Sequence, residues 1–144
     1  MATFRFLPGL ANGTLTVDAR IFGDSEMRYI ALGCRQQALD VDSKYRFVVV
    51  PATGQAALLR DDAGQPTALV GFSPVEGIRL GNQSNRLSLR CFGSTLTGSV
   101  NGVVVAAAED ATYREGLLLL GVGAGVGKNL QAEARFDNLV VTDN

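Results

Sequence analysis

Two cysteines, a scatter of carboxylates, a glycine-rich run ending in lysine, and no histidine are the chemical means of this 144-residue chain. The run GLLLLGVGAGVGKNL (116–130) raises phosphate binding first, because the backbone N–H groups of a glycine loop can cradle phosphates. A Walker loop needs a glycine, four residues, then Gly-Lys-Ser/Thr. Counting back from Gly127 and Lys128, the first glycine falls on Val122, and Asn129 lacks the hydroxyl that holds magnesium. The dinucleotide pattern fails too, since Gly121 and Gly123 call for a glycine where Val126 stands. Both motifs also need a following helix, whereas NLQAEARF alternates like a strand. The run reads instead as a central strand covered on both faces. Its glycines admit a neighbouring strand or an aromatic ring, and VGKN turns the chain.

Without histidine, serine and cysteine triads, the usual zinc sites and imidazole acid–base pairs are excluded. A retaining glycosidase needs two carboxylates about 5 Å apart. Glu133 and Asp137 share one face of the last strand but lie roughly 13 Å apart at strand rise, so they read as surface charges. Asp40 and Asp42 in LDVDSK offer a calcium-binding loop, against the plainer reading of a turn. Sugar recognition uses exposed aromatics, and with no tryptophan Tyr29, Tyr45, Tyr113 or a phenylalanine must serve. Tyr45 shares a face with Phe47 and Val49 and belongs in the core, whereas Tyr29 alternates with inward Ile30 and faces out. Cys34 and Cys91 each fall on the apolar face of a strand. Two readings stand: a disulfide, or two free, buried thiols in a reducing cytosol.

The elements that must position these residues are strands. TLTVDARIF (14–22) alternates apolar and polar side chains, as do RYIALGCRQ (28–36) and RLSLRCF (86–92). In the last two, Arg35 and Arg90 fall on the outward face. KYRFVVV (44–50) and QAALLRD (55–61) flank the turn PATG. TLTGSV (95–100) and VVVAAA (103–108) flank Asn101-Gly102, a hairpin signal because a type I′ turn needs φ > 0 at both central residues. LQAEARFDNLVV (130–141) closes the chain. SPVEGI (73–78) and DATYREG (110–116) read as single helical turns. Such spacing predicts a single all-β domain over 1–144 of two packed antiparallel sheets, a jelly roll first and an immunoglobulin-like sandwich second.

Eleven scattered arginines, two lysines and a net charge of −1 argue against nucleic acid. No apolar run approaches the ~20 residues of a membrane span, so direct membrane insertion is not expected. The opening lacks the pattern of a secretory leader. The expected setting is therefore extracellular or cell-surface, as a domain of a longer exported protein, or cytoplasmic if Met1 is the native start.

Eight ordered stretches carry a resemblance: LPGL (7–10), VDAR (17–20), GCRQ (33–36) with YRF (45–47), IRLGNQSNRLSLRCFG (78–93), VNG (100–102), DATYREG (110–116) and RFDNLVV (135–141). Together they resemble a bacterial concanavalin-A-like lectin/glucanase module. That family is related to the family-16-glycoside-hydrolase-like domain of 3-keto-disaccharide hydrolases and occurs in ectodomains of membrane-anchored serine/threonine kinases. The resemblance implies a jelly roll of two curved sheets, an exported setting and a disulfide between Cys34 and Cys91. The glucanase catalytic carboxylates have no counterpart here, so no enzymatic activity is expected. Three functions follow in order: a non-catalytic module binding a glycan or cell-surface polymer through Tyr29, Arg35 and Arg90, with Asp40 and Asp42 as a calcium clamp; a structural or sensory ectodomain with a protein partner; and a glycoside-active enzyme.

Overall fold

The computed structural model describes residues 2–7, 9, 11–22, 28–124 and 133–143. Eleven strands run in chain order: β1 (Ala2–Leu7), β2 (Gly13–Phe22), β3 (Arg28–Gln36), β4 (Lys44–Val50), β5 (Gln55–Asp62), β6 (Gln65–Pro74), β7 (Asn85–Phe92), β8 (Thr95–Val100), β9 (Val103–Glu109), β10 (Leu117–Ala124) and β11 (Glu133–Thr142). They form two antiparallel sheets. One is six-stranded, β1-β10-β3-β4-β5-β6, and the other five-stranded, β11-β2-β7-β8-β9. The all-β sandwich is as the alternation predicted.

No helix occurs among the described residues, so the single helical turns expected at 73–78 and 110–116 are absent. The first stretch finishes β6 and turns at Glu76-Gly77, where Gly77 has φ +92°. The second is an irregular link between β9 and β10. The glycine-rich run is a strand, as expected, with β10 lying between β1 and β3. The turn read into VGKN lies outside the described residues. Asn101 and Gly102 have φ +50° and +83°, the two left-handed residues of the predicted hairpin.

Between the sheets, period-2 patterning puts one side of every central strand into a common core. Leu15, Val17, Ala19 and Ile21 of β2, with Leu87 and Leu89 of β7, meet Ile30 and Leu32 of β3 and Tyr45, Phe47 and Val49 of β4. Phe47 is fully buried against Gly98 of β8, where an added Cβ would stand 2.5 Å from the ring. Cys34 of β3 and Cys91 of β7 are bonded, joining the two sheets through the core across 57 positions of sequence.

One end of the sandwich is closed by a polar network around the β9–β10 link. Buried Tyr45 donates its hydroxyl to Asp110 Oδ1 at 2.5 Å and accepts the Tyr113 N–H at 3.1 Å. Arg60 bridges Asp110 (2.6 Å) and Asp62 (2.9 Å), and Tyr113 donates to Asp62. Partial burial works to raise the Asp110 pKa, but the Tyr45 and Thr112 donors and the Arg60 guanidinium outweigh it and hold the group down at about 2. Burial, reinforced by Asp110, pushes the Tyr45 phenol up to about 12.

Four outcomes follow from this packing. Replacing both cysteines by alanine lowers the unfolding free energy by about 4 kcal/mol by the loop-entropy argument, read from urea midpoints of the oxidised protein and the variant. Gly98→Ala pushes a methyl into the Phe47 ring and costs about 1–3 kcal/mol in the same assay. Because the folded pKa of Asp110 is depressed, its carboxylate stabilises the fold above the ordinary value of 3.8. That contribution, roughly 2 kcal/mol, is lost as pH falls toward 2. Asp110→Asn flattens the stability profile in that window. Tyr45 acts at the other end, its contribution full below 10 and lost as pH rises toward 12.

Candidate functional site

The outer faces of the two sheets differ. On the five-stranded sheet the residues of β2 and β7 that alternate with the core are polar along 14–20 and 86–90. Thr16 and Ser88 share a hydroxyl hydrogen bond at 2.9 Å, and Arg86 pairs with Asp18 at 3.1 Å. On the six-stranded sheet the alternating residues are Ala31 of β3, Val48 of β4, and Ala57 and Leu59 of β5, and all are buried. They form a second apolar cluster on the side of the sheet away from the core, with Tyr29 packed against it. The Tyr29 ring lies across Gly123 of β10, where any Cβ would collide with it. The aromatic contact expected of the glycine-rich run is therefore real.

At the other end of this apolar floor the register brings charges together. Val48 faces Ala57, then Arg46 faces Leu59, then Lys44 faces Asp61. Asp61, only 3% exposed, accepts Arg46 Nη2 at 2.9 Å, with Arg46 Nε 2.5 Å from its second oxygen. Lys44 Nζ, also buried, sits 3.2 Å from Asp61 and pairs with Asp42. Buried charges are costly unless paired, and these are paired among themselves. Beside them opens a hollow of about 220 Å³ lined by Phe6, Gln36, Leu39, Asp40, Asp42 and Lys44. Gln36 Nε2 donates to the carbonyls of Ala38 (2.9 Å) and Val41, holding the β3–β4 loop in place. Its buried Oε1 has no hydrogen-bond partner among the described residues. Donors and acceptors are thus fixed beside an apolar cluster, with Leu39 exposed at the hollow and Tyr29 half-buried on the floor, the combination a polyhydroxylated molecule with one apolar face requires.

The structure distributes the sequence-predicted residues over separate places. Tyr29 lies half-buried on the outer face of the six-stranded sheet, as expected. Arg90 points outward from the five-stranded sheet, its guanidinium 4.7 Å above the Phe92 ring. Asp40 and Asp42 sit on the rim of the hollow, both exposed, with Asp42 engaged by Lys44. Among the described residues no three His, Cys, Asp or Glu side chains gather where they could hold a metal ion.

Arg35 requires a correction of place. Alternation puts it outward, but it is 1% exposed. Its φ is +59°, at the point where the β3–β10 register shifts between Leu117 and Leu119, and this irregularity turns the side chain into the end of the sandwich. There its guanidinium donates to the carbonyls of Ala11 (2.8 Å), Gly93 (2.7 Å) and Tyr113 (3.0 Å). Burial holds its pKa down, and neighbouring Arg114 acts in the same direction.

Lys44, Arg46, Asp61 and Gln36 were not singled out by their types. The available signal was that FVVV and AALL carry apolar residues at odd and even positions alike, so β4 and β5 are apolar on both faces. Charges alternating into such strands are the ones that end up buried on the outside.

No family model matches the chain, and no curated protein matches its sequence. Solved structures do match. The carbohydrate binding module CBM66 from Bacillus subtilis superposes with a TM-score of 0.79 at 18% identity, over 97% of this chain and 81% of that one. Sheep galectin-11, solved with glycerol, gives 0.67 at 9% identity over 99% and 96%. A family 16 glycoside hydrolase endo-glucanase from Bacteroides ovatus gives 0.67 at 11% identity over 96% and 71%. With two antiparallel sheets and these neighbours, the chain has the concanavalin-A-like jelly-roll fold.

Proposed function

We propose that this is a non-catalytic carbohydrate-recognition domain that binds its ligand on the outer face of the six-stranded sheet. The observation that carries the reading is the buried Lys44–Asp61–Arg46 cluster set against the apolar floor of Ala31, Val48, Ala57 and Leu59. Sugar hydroxyls pair best with groups that offer donors and acceptors side by side. Partly exposed Arg46, held by buried Asp61, supplies donors, and exposed Asp40 and Asp42 on the rim of the hollow supply acceptors. The apolar face of a sugar ring needs an accessible surface; half-buried Tyr29, backed by the buried Val48 and Leu59, offers one, and exposed Leu39 offers another at the hollow. Arg46 and Val50, the row on which Tyr29 stands, are four residues or about 13 Å apart along the strand, so an extended chain of sugars suits the face better than a single ring. Similarity in fold to a carbohydrate binding module and to a galectin supports the same reading.

Carboxyl chemistry favours binding over catalysis. A general acid needs a carboxyl group with a raised pKa, and Asp18, Asp62 and Asp110 are all moved down. Lys44 lies against Asp42, and the proposed site is one that works without calcium. An inter-sheet disulfide fits an oxidising, exported setting.

A second reading rests on β11, the edge strand of the five-stranded sheet, which exposes Leu139, Val140 and Val141. An exposed apolar edge favours pairing with a protein partner.

Glycan-array screening followed by calorimetry tests the first reading. At least one extended glycan binds, in EDTA as well as in calcium. Arg46→Ala weakens that binding about tenfold or more, Tyr29→Ala weakens it several-fold, and Arg90→Ala, on the opposite sheet, leaves it unchanged, as expected for loss of charge-assisted and apolar contacts at one site. A silent array, or full affinity in an Arg46→Ala protein with an undiminished melting temperature, overturns the assignment and favours the β11 edge.

A further inference from the structure

A second cleft, of about 420 Å³, opens at the end of the sandwich where Arg35 is buried. Its walls come from the β1–β2 link, the β7–β8 turn and the β9–β10 link, including Asn12, Ser94 and Arg114. It shares none of its lining with the sheet face described above, and the inference stands independently of that proposal.

The charge balance of this cleft is unusual. Arg35 uses all five of its N–H donors, yet every acceptor is neutral: the carbonyls of Ala11, Gly93 and Tyr113 and, at 3.4 Å, Asn12 Oδ1. A buried guanidinium is ordinarily matched by a carboxylate. Among the described residues none pairs with Arg35, and the other cation acting on it is Arg114. Arg114 is exposed and makes no ion pair among the described residues. Two like charges therefore face one cavity without a counter-charge from the described protein.

The neutral groups around the cavity are donors as well. Asn12 Oδ1 is committed to the Gly93 N–H at 2.8 Å and to Arg35. That fixes the carboxamide and leaves its Nδ2 without a bond to any described residue. The Ser94 hydroxyl likewise bonds to no described residue. The nearby carbonyl oxygens of Ala11 and Gly93, which could have welcomed a sugar hydroxyl, are already taken by Arg35.

From this arrangement we infer that the Arg35–Arg114 cleft is an oxyanion-binding site, taking a carboxylate or sulfate group on Arg114, Asn12 Nδ2 and Ser94 Oγ above the buried charge of Arg35. Charge-assisted bonds of this kind are the strong ones. An anion there relieves the repulsion between the two guanidinium groups. Arg35 holds the three loops and supplies field, while Arg114 supplies direct contact.

Titration of the ¹⁵N-labelled protein with inorganic sulfate, glucuronate and glucose tests this. Sulfate and glucuronate shift the Gly93 and Ser94 amide resonances saturably, and glucose does not. Glucuronate binding tighter than sulfate assigns the anion to an acidic sugar; equal or weaker binding assigns the site to a free oxyanion. Arg114→Gln, at an exposed position, keeps the melting temperature and weakens binding about tenfold or more, and Arg114→Lys retains part of it. Arg46→Ala leaves these titrations unchanged, so the two sites fail or succeed separately. Absence of saturable shifts, equal shifts with glucose, or full affinity in Arg114→Gln overturns the inference.

Discussion

The central strands of the six-stranded sheet are apolar on both faces, and the molecule is organised around that constraint. One face closes on the five-stranded sheet through Phe47, Tyr45 and Leu58; the other gathers Ala31, Val48, Ala57 and Leu59 into a cluster of its own. A strand apolar on both sides has no solvated face on which to carry charge. Lys44, Arg46 and Asp61 sit in such strands, so they lose water and must satisfy one another. The ion cluster and the apolar floor are two results of a single patterning decision in β4 and β5. Their adjacency is what makes this side of the sandwich chemically different from the threonine- and arginine-dressed opposite side.

Buried cations are handled here in two ways. Lys44 and Arg46 are given carboxylates, which neutralise them and leave a set of mixed donors and acceptors. Arg35 is given backbone carbonyls, which satisfy its hydrogen bonds but leave its charge. The first arrangement suits neutral, hydroxyl-rich chemistry and the second suits negative charge. The two proposed sites therefore rest on opposite electrostatic arrangements, one on a sheet face and one among the loops.

Much of the fold was legible because period-2 alternation survives wherever one strand face is solvated. β4 and β8 lie where KYRFVVV and TLTGSV were read, and Asn101-Gly102 makes the hairpin its φ preferences dictate. β6 was passed over, since Pro66, Gly71 and Pro74 look like punctuation. It tolerates them because it is an edge strand with one unpaired side. DATYREG (110–116) reads as a single helical turn, but Tyr45 and Arg60 reach Asp110 from the sheet and hold the link in another shape. The site was harder to read. Tyr29 followed from alternation, whereas Arg35 was misplaced because a bulge reverses the side on which a residue emerges, and no local residue type announces it. The outer charges emerge only once two strands are known to be neighbours, a non-local fact.

Cys34 immediately precedes Arg35, and Cys91 stands two residues before Gly93, whose carbonyl the Arg35 guanidinium grips. A covalent bond and a hydrogen-bonded clasp thus tie the same pair of strand ends, one through the interior and the other at its mouth. Neighbouring ties of this sort are not additive: each shortens the fluctuations the other must restrain. Cleaving the sulfur pair hidden between the layers would remove the interior tie and leave the Arg35 hydrogen bonds to hold the three surface loops at the mouth.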